Sequence, residues 1–122
     1  CNYMKIRKDY TCPLEIVHDL TKGKWKPIIM FQLRNGEVSL ADLERRIEGI
    51  SQKMLIEQLN ELVAYGIVKK KKYEGYPLRV GYSLTDDRGH KMLEAILIMQ
   101  DIGIDYMKNN GMEDVLKEKG II

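Results

Sequence analysis

Two clusters of polar and basic side chains stand out by type and spacing, and the first lies on a predicted helix over residues 51–65. A leucine stripe occupies one face of this helix, and the opposite face carries Ser51, Gln52, Lys53, Ile56, Glu57 and Asn60. Gln and Asn can pair bidentately with adenine, Lys can contact guanine or phosphate, and Ile can touch a thymine methyl group. A Ser hydroxyl and the free N–H groups at a helix start suit a phosphate. This face could therefore read DNA, although an ordinary solvated helix face would carry the same residue types.

The second cluster is strongly basic and follows that helix directly. After Gly66 the pattern changes from helical to extended, which predicts strands over residues 67–73 and 78–84 joined as a hairpin. The basic residues of this hairpin are Lys69, Lys70, Lys71, Lys72 and Arg79. Lysines on both faces of a strand indicate a hairpin that projects towards solvent or a partner, and they suit a phosphate backbone. Arg45 and Arg46, at the end of the preceding helix, are predicted to contact flanking phosphates.

The predicted elements place these two clusters in one continuous domain over residues 1–122. Helices are expected from Pro13 to near Gly23, over residues 24–34, from the Ser39 cap to about residue 47, and from the Ser51 cap to residue 65. A helix-turn-helix thus spans about residues 24–65, and the hairpin forms a wing over about residues 67–84. The predicted fold class is mainly α with a small β-hairpin (α+β), a winged helix-turn-helix.

A last helix is predicted over about residues 86–108, with Thr85 as its cap. One apolar stripe suits the domain's own core and contains Leu93, Leu97, Ile104 and Met107. A second stripe contains Met92, Ala95, Met99, Ile102 and Tyr106. Because a helix on a small domain buries one stripe against its own core, the second needs another surface, and a second copy of the chain is the simplest source. The sequence therefore predicts a homodimer joined by this dimerisation helix.

Charge is distributed unevenly along the chain. The net charge of +2 combines 17 Lys and Arg against 12 Asp and Glu in residues 1–91 with 3 against 6 in residues 92–122. Local charge decides whether a polyanion can bind, so the basic part of the chain favours double-stranded DNA as the partner.

Composition and motifs exclude several other classes of protein. Hydrophobic residues make up 44% and charged residues 31%, which is typical of a globular domain and not of a disordered chain. The longest apolar run covers only residues 95–99, so we expect a cytoplasmic protein with no membrane partner. Two cysteines near the start and two isolated histidines, His18 and His90, predict no metal site and no cofactor. Since no nucleophile–base pair, carboxylate pair or phosphate loop is visible, an enzyme is not expected.

Several motifs resemble one family over roughly residues 12–107. They are Cys12-Pro13, Gly23-Lys24-Trp25, the run from Gly49 to Leu55, Gly66-Ile67-Val68 and Tyr82-Ser83-Leu84-Thr85. In this order they resemble the HxlR-type transcriptional regulators, which are MarR-like winged-helix proteins. The resemblance implies a bacterial, dimeric, sequence-specific DNA-binding regulator, often a repressor. For a helix-turn-helix homodimer we expect a pseudo-palindromic operator. One departure is that family members commonly carry an acidic residue before the Tyr of the last strand, where this chain has Gly81.

The resemblance also singles out Cys12. In several family members the cysteine before this Pro senses oxidants or electrophiles such as quinones and aldehydes. A helix N-terminus favours the thiolate that such reagents attack, and Lys5, Arg7 and Lys8 would add positive charge. The competing interpretation is that Cys12 is a small residue packed at the dimer seam.

The sequence leaves three more points open. Trp25, on an apolar helical stripe, is expected in the core, but it could instead line a small-molecule pocket. The whole chain could be a DNA-binding dimer without any sensor. It could also be a winged-helix module that binds a protein and not DNA.

Overall fold

The computed structural model describes residues 12–121, which form an α+β domain. The helices and strands in chain order are α1 (Pro13–Thr21), α2 (Trp25–Gln32), β1 (Val38–Ser39), α3 (Leu40–Arg46), α4 (Gln52–Ala64), β2 (Val68–Tyr73), β3 (Arg79–Leu84), α5 (Arg88–Asn109) and α6 (Glu113–Glu118). The strands form an antiparallel sheet in the order β1-β3-β2. The predicted winged helix-turn-helix is thereby confirmed, with β1 and α6 as additions that the sequence pattern did not predict.

Two serine caps define the helix-turn-helix. The Ser39 hydroxyl accepts a hydrogen bond from the Asp42 N–H, and the Ser51 hydroxyl accepts one from the Met54 N–H, both at 3.1 Å. Each bond satisfies a backbone donor that the first turn of a helix leaves unpaired. Gly49 adopts a φ of +87° in the turn between α3 and α4, a conformation that favours glycine. Both predicted caps and the predicted turn are confirmed.

The core lies beneath α4 and the sheet. Leu55, Leu59 and Leu62 of α4 are fully buried, as the leucine stripe predicts. On α2, Trp25, Ile28, Ile29 and Leu33 recur at helical spacing, which predicts a buried stripe. Ile29 and Leu33 are buried as this spacing predicts, together with Lys26 and Met30. Trp25 and Ile28, which the helical pattern places in the core, are only partly buried and pack against its edge.

The wing extends beyond the core. In β2 only Val68 is buried, whereas residues 69–73 are exposed. The register pairs Val68 with Leu84 at the base and Tyr73 with Arg79 near the tip. On β3, Val80, Tyr82 and Leu84 alternate with Arg79, Gly81 and Ser83, which predicts the second set on the exposed face, but Gly81 is buried. The predicted projecting hairpin is therefore present, but position 81 of β3 is buried where the alternation predicts an exposed residue.

The start of α5 differs from the prediction that Thr85 caps it. Asp87 is the N-cap, and its carboxylate accepts a hydrogen bond from the Arg88 N–H at 2.6 Å. The Thr85 hydroxyl instead accepts a bond from the Gly89 N–H at 2.8 Å and lies 2.8 Å from the Gly66 carbonyl oxygen. It therefore joins the start of α5 to the end of α4.

Burial along α5 also corrects the predicted core stripe. Leu93 is buried as expected, but Leu97 is exposed and Ile96 is buried in its place. The chain continues into α6, where Leu116 is buried.

Within residues 12–121, none of the helices combines the length and the apolar character needed to cross a membrane.

Candidate nucleic-acid interface

The outward face of α4 carries the predicted reading residues. Gln52 and Lys53 are exposed in the first turn, and Ile56 exposes about a third of its surface one turn later. Glu57 and Asn60 are half-buried. Four side chains that can donate or accept hydrogen bonds, together with one apolar side chain, therefore lie on the helix face opposite the buried leucines. Such a face matches what a helix needs to contact base edges in a major groove.

Lys26 of α2 holds α4 in position through contacts inside the protein. Its Nζ donates to Glu61 Oε1 at 2.7 Å and to Gln58 Oε1 at 2.9 Å, and the side chain is 2% exposed. A buried ammonium is tolerated only when paired, so this contact sets how α4 sits on α2. Sequence reasoning missed Lys26, although its spacing of three, four and seven residues from the buried Ile29, Met30 and Leu33 placed it on the core face of α2.

The other end of α4 is held by the start of α5. Arg88 Nη1 donates to the Tyr65 carbonyl oxygen at 2.5 Å, at the C-cap of α4. Cationic groups stabilise the C-terminal end of a helix, where carbonyls lack partners. The long helix and the candidate reading helix are thus joined directly by a hydrogen bond.

The wing presents its lysines on both faces of β2. Lys70 and Lys72 pair across the ladder with Tyr82 and Val80, and Lys69 and Lys71 alternate with them on the opposite face. All four are exposed, as is Arg79 on β3. Since α4 packs directly against β2, the basic strand adjoins the candidate reading helix.

The two arginines at the end of α3 are also exposed. Arg45 forms an ion pair with the Asp42 carboxylate one turn earlier, and Arg46 follows it as the last residue of α3. Exposed ion pairs contribute little free energy, so a phosphate could replace Asp42 as the partner of Arg45.

Glu37, next to β1, is a further residue that sequence reasoning missed. Its Oε2 accepts a hydrogen bond from the Tyr73 hydroxyl at 2.6 Å, near the tip of the wing. This bond, with smaller effects from burial and from the Glu37 charge, raises the pKa of Tyr73 above its ordinary value of 10.0. The phenol therefore stays protonated, and able to donate, throughout the physiological pH range.

Cys12 lies at the start of α1. It is the N-cap residue and an exposed free thiol, and its side chain makes no capping hydrogen bond. Lys5, Arg7 and Lys8, which the sequence places upstream, lie outside the described residues, as does Cys1. Residues 12–121 contain no group of three or more His, Cys, Asp or Glu side chains placed to hold a metal ion.

The second stripe of α5 is largely open. Met99, Ile102 and Tyr106 are 56%, 66% and 63% exposed, and Ala95 is exposed between them and the start of the helix. Met92 differs, because it is half-buried against the protein's own core. An apolar groove of about 300 Å³ adjoins this stripe between α2 and α5, and its walls are Pro27, Ile28, Phe31, Ile96, Met99 and Gln100.

These elements define a class of protein. A helix-turn-helix whose second helix exposes polar side chains, followed by a basic two-stranded wing, is a winged helix-turn-helix protein. Residues 20–111 match the family model described as HxlR-like helix-turn-helix. The chain therefore belongs to the HxlR-like helix-turn-helix family.

Relatives and solved structures agree with that assignment. The HTH-type transcriptional regulator YkvN of Bacillus subtilis is 40% identical over 79 residues, which cover 65% of this chain and 67% of YkvN. A MarR-family transcriptional regulator from Porphyromonas gingivalis W83 has a TM-score of 0.73 at 38% identity, covering 82% of this chain and 97% of that one. The redox regulator HypR in its reduced form has a TM-score of 0.71 at 34% identity, covering 88% and 99%. The chain is thus a transcriptional regulator of the HTH type and not an enzyme.

Proposed function

We propose that this protein is a sequence-specific repressor that binds a pseudo-palindromic operator in double-stranded DNA as a homodimer. The observation that carries the proposal is the exposed polar face of α4 beside a wing whose four consecutive lysines are all exposed. A repressor of this kind acts in the cytoplasm, where it keeps RNA polymerase from the promoter that its operator overlaps.

In this proposal α4 enters the major groove. Gln52 and Asn60 pair with base edges, Lys53 contacts guanine or a phosphate, and Ile56 contacts a thymine methyl group. Glu57 can accept a hydrogen bond from a cytosine amino group. The Ser51 oxygen already accepts the Met54 N–H, so its own proton remains free to donate to a phosphate.

The basic residues around α4 supply affinity without sequence preference. Lys69, Lys70, Lys71 and Lys72 of the wing, with Arg79 on the neighbouring strand, contact the phosphate backbone or enter the minor groove. Arg45 and Arg46 contact phosphates that flank the major-groove site. Each phosphate neutralised releases counterions, so operator binding should weaken steeply with salt.

The homodimer forms through the exposed stripe of α5. Large apolar side chains exposed together on one helix mark an interaction surface, and a second copy can cover Ala95, Met99, Ile102 and Tyr106 with the same stripe. The dimer would place two α4 helices in successive major grooves, about 34 Å apart along the DNA.

Cys12 is the proposed redox- or electrophile-responsive residue. The support is its exposed thiol at the start of α1 together with the structural similarity to the redox regulator HypR. An electrophile such as a quinone would add to the thiolate, and the bulky adduct would change the spacing of the two reading helices.

Selection of duplexes from a random-sequence library tests the DNA-binding proposal. We expect the selected sequences to contain an inverted repeat with half-sites about one helical turn apart. Gln52→Ala should relax the preference at one position of each half-site, whereas Lys53→Ala should weaken binding to all duplexes more evenly. Selection of no sequence, with equal and weak binding to every duplex, would refute the proposal and favour a protein-binding module.

The sensor proposal has its own test. Binding to the selected duplex is measured before and after treatment with a quinone, for the wild-type chain and for Cys12→Ser. We expect the quinone to release the wild-type chain and to leave Cys12→Ser bound. Equal responses of the two chains would exclude Cys12, and no response of either would indicate a regulator without this sensor.

A further inference from the structure

One side chain crosses the sheet from edge to edge towards the tip of the wing. Glu37 lies beside β1, at one edge of the sheet, and Tyr73 is the last residue of β2, at the other edge. The Tyr73 hydroxyl donates to Glu37 Oε2 at 2.6 Å, across 36 residues of sequence. To reach it, the Glu37 side chain must pass over the middle strand, β3. We call this hydrogen bond the Glu37–Tyr73 clasp.

Gly81 is the position on β3 over which the clasp passes. A Cβ atom at Gly81 would lie 2.5 Å from Glu37 Oε2, 2.6 Å from its Cδ and 2.9 Å from its Cγ. Separations this short are not tolerated, so a side chain at position 81 and the observed Glu37 conformation exclude one another. The burial of Gly81 thereby has a physical cause, because the Glu37 side chain covers it.

The clasp acts where the sheet gives the wing little other support. β1 pairs with β3 only at Val38–Tyr82 and Ser39–Gly81, so beyond this point the wing consists of two strands alone. A two-stranded hairpin is marginally stable by itself, and four consecutive lysines on β2 repel one another. A bond from Glu37, beside β1, to the end of β2 therefore restricts the angle at which the lysines leave the body of the protein.

We propose that Glu37 is a positioning residue for DNA binding, which holds the wing through Tyr73 and uses the space that Gly81 leaves open. The proposal rests on the proposed function, since the wing is positioned for phosphate contact. Glu37 itself contacts no DNA in this arrangement.

The proposal and simple electrostatics predict opposite results. Glu37 is a negative charge close to the wing lysines, so if charge alone mattered, its removal would tighten DNA binding. If Glu37 positions the wing, Glu37→Ala should weaken binding although a repulsive charge is lost. Glu37→Gln separates the two effects, because the amide oxygen can still accept the Tyr73 proton.

The test measures affinity for a duplex that the wild-type chain selects from a random-sequence library. Tyr73→Phe and Glu37→Ala should each weaken binding by about five- to tenfold, the factor expected for one hydrogen bond. The double variant should bind no more weakly than either single variant. Gly81→Ala should cause the same loss by displacing the Glu37 carboxylate, and no further loss in the Glu37→Ala background. Glu37→Gln should bind more tightly than Glu37→Ala.

Two further measurements distinguish a change in the position of the wing from a general loss of folded structure. The salt dependence of binding should be the same for Tyr73→Phe as for the wild-type chain, because no cation is removed. In the absence of DNA, NMR titration of the Tyr73 ring should show a lower pKa in Glu37→Ala and in Gly81→Ala than in the wild-type chain. This second measurement reports the clasp whether or not the protein binds DNA.

The outcomes are distinct. Tighter binding by Glu37→Ala, or additive losses in the double variant, would overturn the proposal, as would an unchanged Tyr73 titration. A wild-type chain that selects no duplex would instead overturn the proposed function, and the role of the clasp in DNA binding with it.

Discussion

Lys26 Nζ lies 2.7 Å from Glu61 Oε1, and this ion pair joins α2 to the candidate reading helix α4 inside the protein. Lys26 is almost completely buried, whereas Glu61 keeps 18% of its side chain exposed. Because α2 also packs against α5, it links the proposed dimer helix to α4. The long helix therefore has two connections to α4, one through Lys26 and one through the Arg88 bond to Tyr65.

The ion pair predicts a large loss of stability when one partner is removed. Lys26→Met leaves the Glu61 carboxylate without its partner and should lower the free energy of unfolding by about 3 kcal/mol. Lys26→Met combined with Glu61→Leu should recover most of this loss, since no unpaired charge remains. The measurement is urea unfolding followed by circular dichroism.

Lys24→Met is the matched control for that experiment. Lys24 is exposed two residues earlier, with its ammonium 4.5 Å from the centre of the Trp25 ring. Loss of that contact should cost less than about 1 kcal/mol. Equal effects of Lys24→Met and Lys26→Met would contradict the structural role assigned to the buried pair.

The two glycines of α5 should respond oppositely to alanine. A Cβ at Gly89 would lie 2.3 Å from the Ile67 carbonyl oxygen, which is backbone and cannot move away cheaply, so Gly89→Ala should destabilise by about 1–3 kcal/mol. Gly103 has no atom within 4 Å of such a Cβ, so Gly103→Ala should stabilise the helix by about 0.5–1 kcal/mol. Thermal unfolding of both variants checks this, and a neutral Gly89→Ala would contradict the close approach of α5 to the Ile67 carbonyl.

The cap of α5 makes stability depend on pH. Its hydrogen bond from the Arg88 N–H lowers the pKa of Asp87 below the ordinary value of 3.8. The folded state thus favours the ionised carboxylate, and this stabilisation is complete above pH 3.8 and lost as the pH falls through the lowered pKa. Asp87→Ala should therefore lower the melting temperature at neutral pH and have little effect in strong acid.

Asp86→Ala serves as the control for the cap, because Asp86 is exposed and precedes the cap residue by one position. We expect its melting temperature to follow that of the wild-type chain at both pH values. A pH-independent effect of Asp87→Ala would show that the cap contributes no charge-dependent stabilisation.

The α5 stripe predicts the oligomeric state. Ile102→Glu places a charge at the centre of the proposed dimer surface and should shift the protein to a monomer of 14.2 kDa in sedimentation experiments. Ile102→Leu keeps the surface apolar and should remain dimeric. If both variants sediment as the wild-type chain does, the dimer uses another surface.

Local patterns in the sequence predicted helix α4 and the two strands of the wing, whereas β1 and the Glu37–Tyr73 clasp depend on contacts between residues far apart in the chain. The Ser51 cap, the leucines at spacings of four and three, and the Gly66 break are all local signals. In contrast, β1 has two residues and exists only because Val38 pairs with Tyr82, far along the chain. The Glu37–Tyr73 clasp is equally non-local. Lys26 was missed for another reason, since a lysine on the buried stripe of α2 was not counted as a core residue.

The wing lysines provide the sharpest test of whether this chain is a DNA-binding regulator. Binding to a selected duplex is measured by fluorescence anisotropy across a salt series for the wild-type chain and for a variant that combines Lys70→Glu with Lys72→Glu. Lys108→Glu combined with Lys117→Glu, at exposed positions of α5 and α6, is the charge-matched control. We expect a steep salt dependence for the wild-type chain and the control, and for the wing variant a large loss of affinity with a slope reduced by about two. Equal affinity and equal slopes for the wing variant and the wild-type chain would contradict DNA binding through the wing.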